Sequence, residues 1–356
     1  MKLSQFKFHL PEELIAQYPA PFRDEAQMLV LHRKTGEIEF KTIQEMLDYF
    51  SEGDYFIFND TKVFPARLYG HKERTGATIE VFLLRELNHE NRYWDVIVDP
   101  ARKIRIGNKI YFDEDNTIVA EVIDNTTSRG RTLRFLTDYS PEEFRKKLFE
   151  LGETPLPKYI KRDKENPDPR DKEDVNRYQT LFAKNVGAVA VPASGLHFSK
   201  SILKRMEIRG IGSEFITSHI GLGVFRSIDV EDLSKHKMDS EQIEISQQVV
   251  NTIERLHQEK KRICAIGSDV MRALEAVAGT DGHIKSYSGW INKFIAPPYD
   301  FTVANCMLAN LYMPQSTQLI MVATFGGYEN VMHAYDEAIK HGLHFGDYGD
   351  AMLIVD

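Results

Sequence analysis

Between Ala77 and Phe135 the apolar residues alternate in short runs, and after Asn185 they do not. ATIEVFLL, YWDVIVD, IRIGNKIYF, TIVAEVI and RTLRFL are separated by Gly, Asn and Asp turns, the pattern of an antiparallel sheet or small barrel. GAVAV, RICAIG and QLIMVATFGG are instead continuous apolar runs, each followed by a glycine-containing turn and a helical pattern such as SKSILKRMEIRG, DVMRALEAV or ENVMHAYDEAIKHG. Such runs fit strands buried on both faces, and so predict a parallel-type sheet covered by helices. At 356 residues the chain is long enough for two cores. The expected fold class is α/β. An α/β sheet domain with helices on both faces, residues 1–69 and 137–356, is interrupted by an antiparallel β-barrel domain over 70–136.

Local signals add elements to this plan. PEELIAQ predicts a short helix, and KTGE closes a hairpin within MLVLHRKTGEIEF. YSPEEFRKKLFELG has Ser140 as N-cap, Pro141 at the first helical position and Gly152 after the last turn, which marks a helix at both ends. KRDKENPDPRDKEDVNRYQ, residues 161–179, is charged and nearly free of apolar residues, and reads as an exposed flexible loop.

Several classes are excluded or disfavoured. LIMVATF, residues 319–325, falls far short of the roughly 20 apolar residues of a membrane span. The start MKLSQFKFHLPEEL lacks the apolar core of a secretory signal, so a cytoplasmic location is expected. Cys264 and Cys306 lie in apolar surroundings with no CxxC pairing, which fits buried thiols rather than a zinc site. The net charge of −8 provides no global field for a polyanion, so any nucleic-acid contact must be local.

Chemistry-bearing residues gather where apolar runs meet helical patterns, the place where open α/β sheets bind ligands. VPASGLHFSK carries Ser194, Gly195 and His197 at one such junction. Pro192 and Leu196 occupy the flanking positions that a nucleophile elbow gives to glycine, so Ser194 is not that nucleophile. His197 is open to three readings: general base, donor to a ligand oxygen, or a packing and capping residue. TSHIGLGVF sets His219 before Gly221 and Gly223, either a close backbone approach to a ligand or a tight turn. KHKMDSEQIEIS clusters His236, Asp239 and Glu241. CAIGSDVMRALE starts a helix with Ser268 and Asp269 and puts Arg272 on its first turn, where capping is the alternative to ligand binding. HGLH, residues 341–344, reads as a helix end rather than a metal pair. On the expected barrel, Arg102, Lys103, Arg105, Lys109, Arg129, Arg131 and Arg134 offer phosphate contacts or a solvated face.

MKLSQFKFHLPEELIAQYP, FNDTKVFPARL, LGETPLP, SGLHF, HIGLGVF, AIGSDVMRALE, FIAPPYDF, NLYMPQST and FGDYGDAMLI occur in that order, from Met1 to the C-terminus. On these motifs the chain resembles the S-adenosylmethionine:tRNA ribosyltransferase-isomerase family of queuosine biosynthesis. The resemblance implies an α/β domain with an inserted β-barrel. It also implies an unusual use of S-adenosylmethionine, as ribosyl-donor substrate with no bound cofactor and no metal. The acceptor would be 7-aminomethyl-7-deazaguanine at the wobble position in the anticodon region of tRNA. The product would be epoxyqueuosine, with adenine and methionine released. A monomer without membrane attachment is expected.

Such chemistry needs a base near the ribose C5′ hydrogens, a proton donor for adenine and groups that hold a flexible intermediate. Proton transfer falls to His197 and His219, with Asp239 and Glu241 beside them as catalytic candidates. Substrate binding falls to Asn59, Asp60, Arg67, Ser194, Gly195, Gly221, Gly223, Ser268, Asp269, Arg272, Asn310 and Tyr312. Binding of tRNA falls to the barrel's Arg102, Lys103, Arg105, Lys109, Arg129 and Arg131. The chain departs from the family pattern at Ala193 with Ser194, at Ser268 with Asp269, at Ile291, and at Ala309 and Tyr312. A contrasting reading is therefore a binding module that holds tRNA or a nucleoside without turnover, with Asp269 and Tyr312 as the features favouring it.

Overall fold

Alternation inside the apolar runs decides which face of the larger sheet each residue covers. Met28, Val30, Phe56, Phe58, Cys264 and Leu308 pack to one side, with Ile202 and Met206 of the helix Lys200–Ile208. Leu29, Leu31, Ile57, Ala265, Met307 and Ile354 pack to the other. There they meet the helices Gln247–Gln258, Ser268–Val277, Thr317–Gly326 and Tyr328–Lys340. A sheet buried on both faces follows, because neither set of side chains is left to water.

The computed structural model describes residues 1–127 and 129–356. The chain divides into two units, Met1–Lys62 with Pro157–Asp356, and Val63–Leu156. The first holds a nine-stranded mixed sheet. Its strands lie in the spatial order Tyr287–Ile291, Glu241–Ile245, Gly212–Ser218, Tyr55–Asn59, Ile263–Ile266, Cys306–Asn310, Ala351–Val355, Gln27–His32 and Glu37–Thr42. The four strands from Gly212–Ser218 to Cys306–Asn310 are mutually parallel. Their carboxyl ends, at Ser218, Asn59, Ile266 and Asn310, therefore lie along one edge. The second unit contains a closed barrel of six antiparallel strands and ends in the helix Pro141–Leu151, whose Ser140 and Glu143 form a capping box. The expected insertion, 70–136, lies within this unit, which also takes in the start of the strand Arg67–Lys72 and that helix.

Four local expectations change. QLIMVATFGG is the helix Thr317–Gly326 rather than a strand. Ser316 caps it by accepting from Leu319 N, and eight of its ten residues are buried, so no polar face reveals the helical period. GAVAV contributes the strand Asn185–Ala188 to a separate two-stranded pairing with Thr61–Val63, not to the main sheet. PEELIAQ supplies only the 3₁₀ turn Glu12–Leu14. The stretch 161–179 is held by charge, not loose. Arg162 pairs with Asp171 at 3.1 Å and Asp174 at 2.7 Å, and the Tyr18 ring lies 4.2 Å from the Arg162 guanidinium and 3.7 Å from that of Arg170.

One buried carboxylate fixes the helix Ser268–Val277 against the loop beyond it. Glu275, 1% exposed, accepts from Thr302 N and Val303 N at 2.9 Å each, and from the Tyr299 hydroxyl at 2.9 Å. The substitution Glu275→Ala strands these donors. Urea unfolding should show a loss of about 3 kcal/mol, and a loss under about 1 kcal/mol would mean that apolar packing alone holds the loop.

Candidate active site

At the carboxyl ends of the parallel strands, the sequence needs a sharp entry into the helix Ser268–Val277. Gly267 provides it at φ +108°, a conformation that disfavours side chains, and its N–H donates to Leu308 O at 2.8 Å. The helix start then presents Ser268, Asp269 and Arg272 to a cavity lying wholly within the first unit. Asp269 and Arg272 are three residues apart, hence on one helix face.

The cavity has three kinds of wall. Its first polar wall is Ser268, Asp269 and Tyr312. The Tyr312 hydroxyl lies 3.2 Å from Ser268 Oγ, and its backbone N–H donates to the Tyr335 hydroxyl at 3.0 Å. Asp269 Oδ2 accepts from Asn59 Nδ2 at 2.6 Å. Burial drives the Asp269 carboxyl up to about 6, against the lowering effect of that hydrogen bond. A second wall is the ion pair of Arg272 and Glu241, 4% and 2% exposed. Glu241 Oε1 also accepts from Gly221 N at 2.9 Å, and burial lowers Arg272 to about 10. The third wall is apolar: Met238, Met313, Met321, Phe294 and Ile295. Such soft, polarizable surfaces suit a flat base or a thioether.

Both histidines stand behind this cavity instead of lining it. His197, 4% exposed, meets Asn310 Oδ1 through Nε2 at 3.0 Å. Asn310 donates through Nδ2 to Gly346 O at 2.9 Å and Asp347 O at 3.2 Å, so its Oδ1 must accept and His197 carries its proton on Nε2. Burial pushes His197 below its ordinary value. His197 thus sets Asn310, and Asn310 sets the backbone of Gly346 and Asp347, which do line the cavity. His219 meets Thr61 Oγ1 through Nδ1 at 2.7 Å and packs on Gly187, where an added Cβ would come within 2.7 Å of the ring. Burial lowers it too.

The remaining expected residues divide similarly. Asn59 reaches Asp269, whereas Asp60 is taken by Thr217 Oγ1 at 2.6 Å and Asn185 Nδ2 at 3.1 Å. Ser194 is buried beside the Tyr312 hydroxyl. Gly195 lets the backbone pass Thr180 Cγ2, which an added Cβ would approach to 2.9 Å. Gly223 backs onto Asp239, itself paired with Arg226 at 2.9 Å. Ala193 lines the cavity, while Ala309 and Ile291 are buried strand residues. Arg67 belongs to the second unit and donates there to Leu156 O at 2.9 Å. On the barrel unit Arg102, Lys103, Arg105 and Arg129 are exposed and Lys109 is partly so. Arg129 lies 3.2 Å from Asp99. Arg131 corrects the expectation of a phosphate contact: it is 7% exposed, and its guanidinium donates to the carbonyls of Ala101, Ile104 and Gly130. It braces the 101–104 turn from inside.

Sequence reasoning passed over Tyr159 and Asp347. Both line the cavity, and Asp347 accepts from the hydroxyls of Tyr159 at 2.8 Å and Tyr178 at 2.7 Å. Burial raises the Asp347 carboxyl above its usual range. Their only signal was an aspartate within FGDYGDAMLI, a segment with no chemical pattern of its own.

The profile of the family described as Queuosine biosynthesis protein matches residues 3–354. The chain is 61% identical over 356 residues to the S-adenosylmethionine:tRNA ribosyltransferase-isomerase of Phocaeicola vulgatus, and 62% identical over 356 residues to that of Bacteroides fragilis, with 100% of each chain covered. It is also similar to the crystal structure of S-adenosylmethionine tRNA ribosyltransferase from Thermotoga maritima. That match has a TM-score of 0.55 and 28% identity, over 99% of this chain and 100% of that one.

The Asp269 carboxyl has a testable pH signature. Its folded value, about 6, lies above the ordinary 3.8, so the proton favours the folded state. That contribution is complete below about pH 4 and is lost as pH rises through about 6. Thermal melts should therefore show wild type losing stability relative to Asp269→Asn between about pH 4 and about pH 7. A difference that stays constant over that range would place the carboxyl in an ordinary solvated state.

Proposed function

Because the chain belongs to the Queuosine biosynthesis protein family, we propose that it moves the ribosyl unit of S-adenosylmethionine onto 7-aminomethyl-7-deazaguanine at the wobble position of tRNA. The product is epoxyqueuosine, and adenine and methionine leave. The observation that carries this reading is the cavity at the strand ends, where a carboxyl near neutrality and a buried ion pair face an apolar wall.

Each wall has work in such a reaction. Asp269, aimed by Asn59, is suited to take a proton activated by the adjacent sulfonium and to return one to the departing adenine. Ser268 and Tyr312 provide hydroxyls for the opened sugar. Methionine and phenylalanine side chains receive the base and the thioether. His197 and His219 are positioning residues in this scheme: neither lines the cavity, and they are hydrogen-bonded to Asn310 and Thr61. The binding-only alternative is not favoured: Asp269 and Tyr312, the residues that suggested it, are hydrogen-bonded parts of the site. Full-length relatives at 61% and 62% identity carry the enzyme's name. Among the described residues no helix is long and apolar enough to cross a membrane.

The deciding experiment incubates purified protein with S-adenosylmethionine and tRNA bearing the aminomethyl-deazaguanine base, then follows epoxyqueuosine and free adenine by mass spectrometry. Both should appear together. If neither appears while tRNA binds, the binding-only reading replaces this one.

In this reading tRNA approaches through its anticodon region, and the exposed Arg102 and Arg105 supply phosphate contacts. Charge reversal at both should weaken tRNA binding and reduce its salt slope by about 2. Arg131→Met should instead lower barrel stability, as its donors are already engaged. An unchanged salt slope in the Arg102 and Arg105 variant would move the interface elsewhere.

A further inference from the structure

The second wall of the cavity holds an arginine that its carboxylate partner does not satisfy. Arg272 Nη1 is buried and has no hydrogen-bond partner, although Nη2 is paired with Glu241. Arg131 shows what a purely structural buried arginine does in this chain: Nε, Nη1 and Nη2 all find backbone carbonyls. Arg272 instead lines the cavity, with Nη1 left without a partner. A buried donor left without an acceptor is costly, and a ligand that supplied one would remove that cost.

The charge of the wall narrows the ligand. Arg272 and Glu241 together are neutral, so a phosphate dianion would gain the guanidinium only by facing the Glu241 carboxylate. A group carrying both a carboxylate and an ammonium would satisfy each partner at once. Resting on the functional reading above, we infer that Arg272 and Glu241 form the subsite for a zwitterionic α-amino-acid group, the methionine end of the sulfonium donor. The α-carboxylate meets Arg272 Nη1, and the α-ammonium meets Glu241, whose Oε1 is held in place by Gly221 N–H. Asp269, one helical turn earlier on the same face, then lies toward the sulfonium and ribose.

The test is calorimetric titration of the full chain with S-adenosylmethionine and with its decarboxylated analogue, which keeps the sulfonium, the adenosine and the amine. The analogue should bind about tenfold more weakly or worse, the loss expected when a charge-assisted contact to a buried arginine is removed. Arg272→Met should bring S-adenosylmethionine down to the analogue's level, so that the ratio of the two falls to about one. The wild-type comparison stands whether or not that variant folds. Equal binding of the two ligands to wild type overturns the subsite and leaves the functional reading intact. If wild type binds neither, the donor assignment itself falls, and the subsite's ligand with it.

Discussion

Asn59 is the side chain on which the site depends. Its Oδ1 accepts from Thr61 N at 3.1 Å and Ser218 N at 2.9 Å, which fixes the amide's orientation. Its Nδ2 must then face Ser218 O, at 2.9 Å, and the Asp269 carboxyl. One buried amide thereby joins the ends of two parallel strands to the start of the helix that carries Asp269 and Arg272. With all four bonds satisfied, Asn59 has no second arrangement available at comparable cost.

Within a small space the cavity holds two carboxyls in contrasting settings. Asp269 is buried, and burial raises its carboxyl to about 6, the behaviour the proposed proton transfer calls for. Glu241 is buried against Arg272 in an ion pair and also accepts from Gly221 N. The same two residue types would be interchangeable in water. Here the neighbour within hydrogen-bond reach is an amide in one case and a guanidinium in the other.

Part of this was legible in the chain. The switch from alternating to continuous apolar runs gave the barrel and the two-faced sheet, because a strand's exposure is written in every second residue. It could not give the helix Thr317–Gly326, whose surroundings bury nearly every side chain and erase the helical period. Ser268, Asp269 and Arg272, singled out from their place at a helix start following an apolar run, line the cavity. A histidine beside glycines looks catalytic in sequence, whereas in the structure His197 and His219 do not line the cavity and are hydrogen-bonded to Asn310 and Thr61. Arg131 illustrates the converse, since a basic cluster in sequence does not reveal which member turns inward.

Sequence alone determined the fold class and the family, because these rest on periodicity and on motifs spread along the whole chain. Tertiary structure alone decided which groups meet. Asn59 and Asp269 are 210 positions apart, and Asn310 and His197 are 113 apart. Whether a buried carboxyl sits beside an amide, as Asp269 does, or beside a guanidinium, as Glu241 does, is set by packing between distant segments. No local pattern in the chain records it.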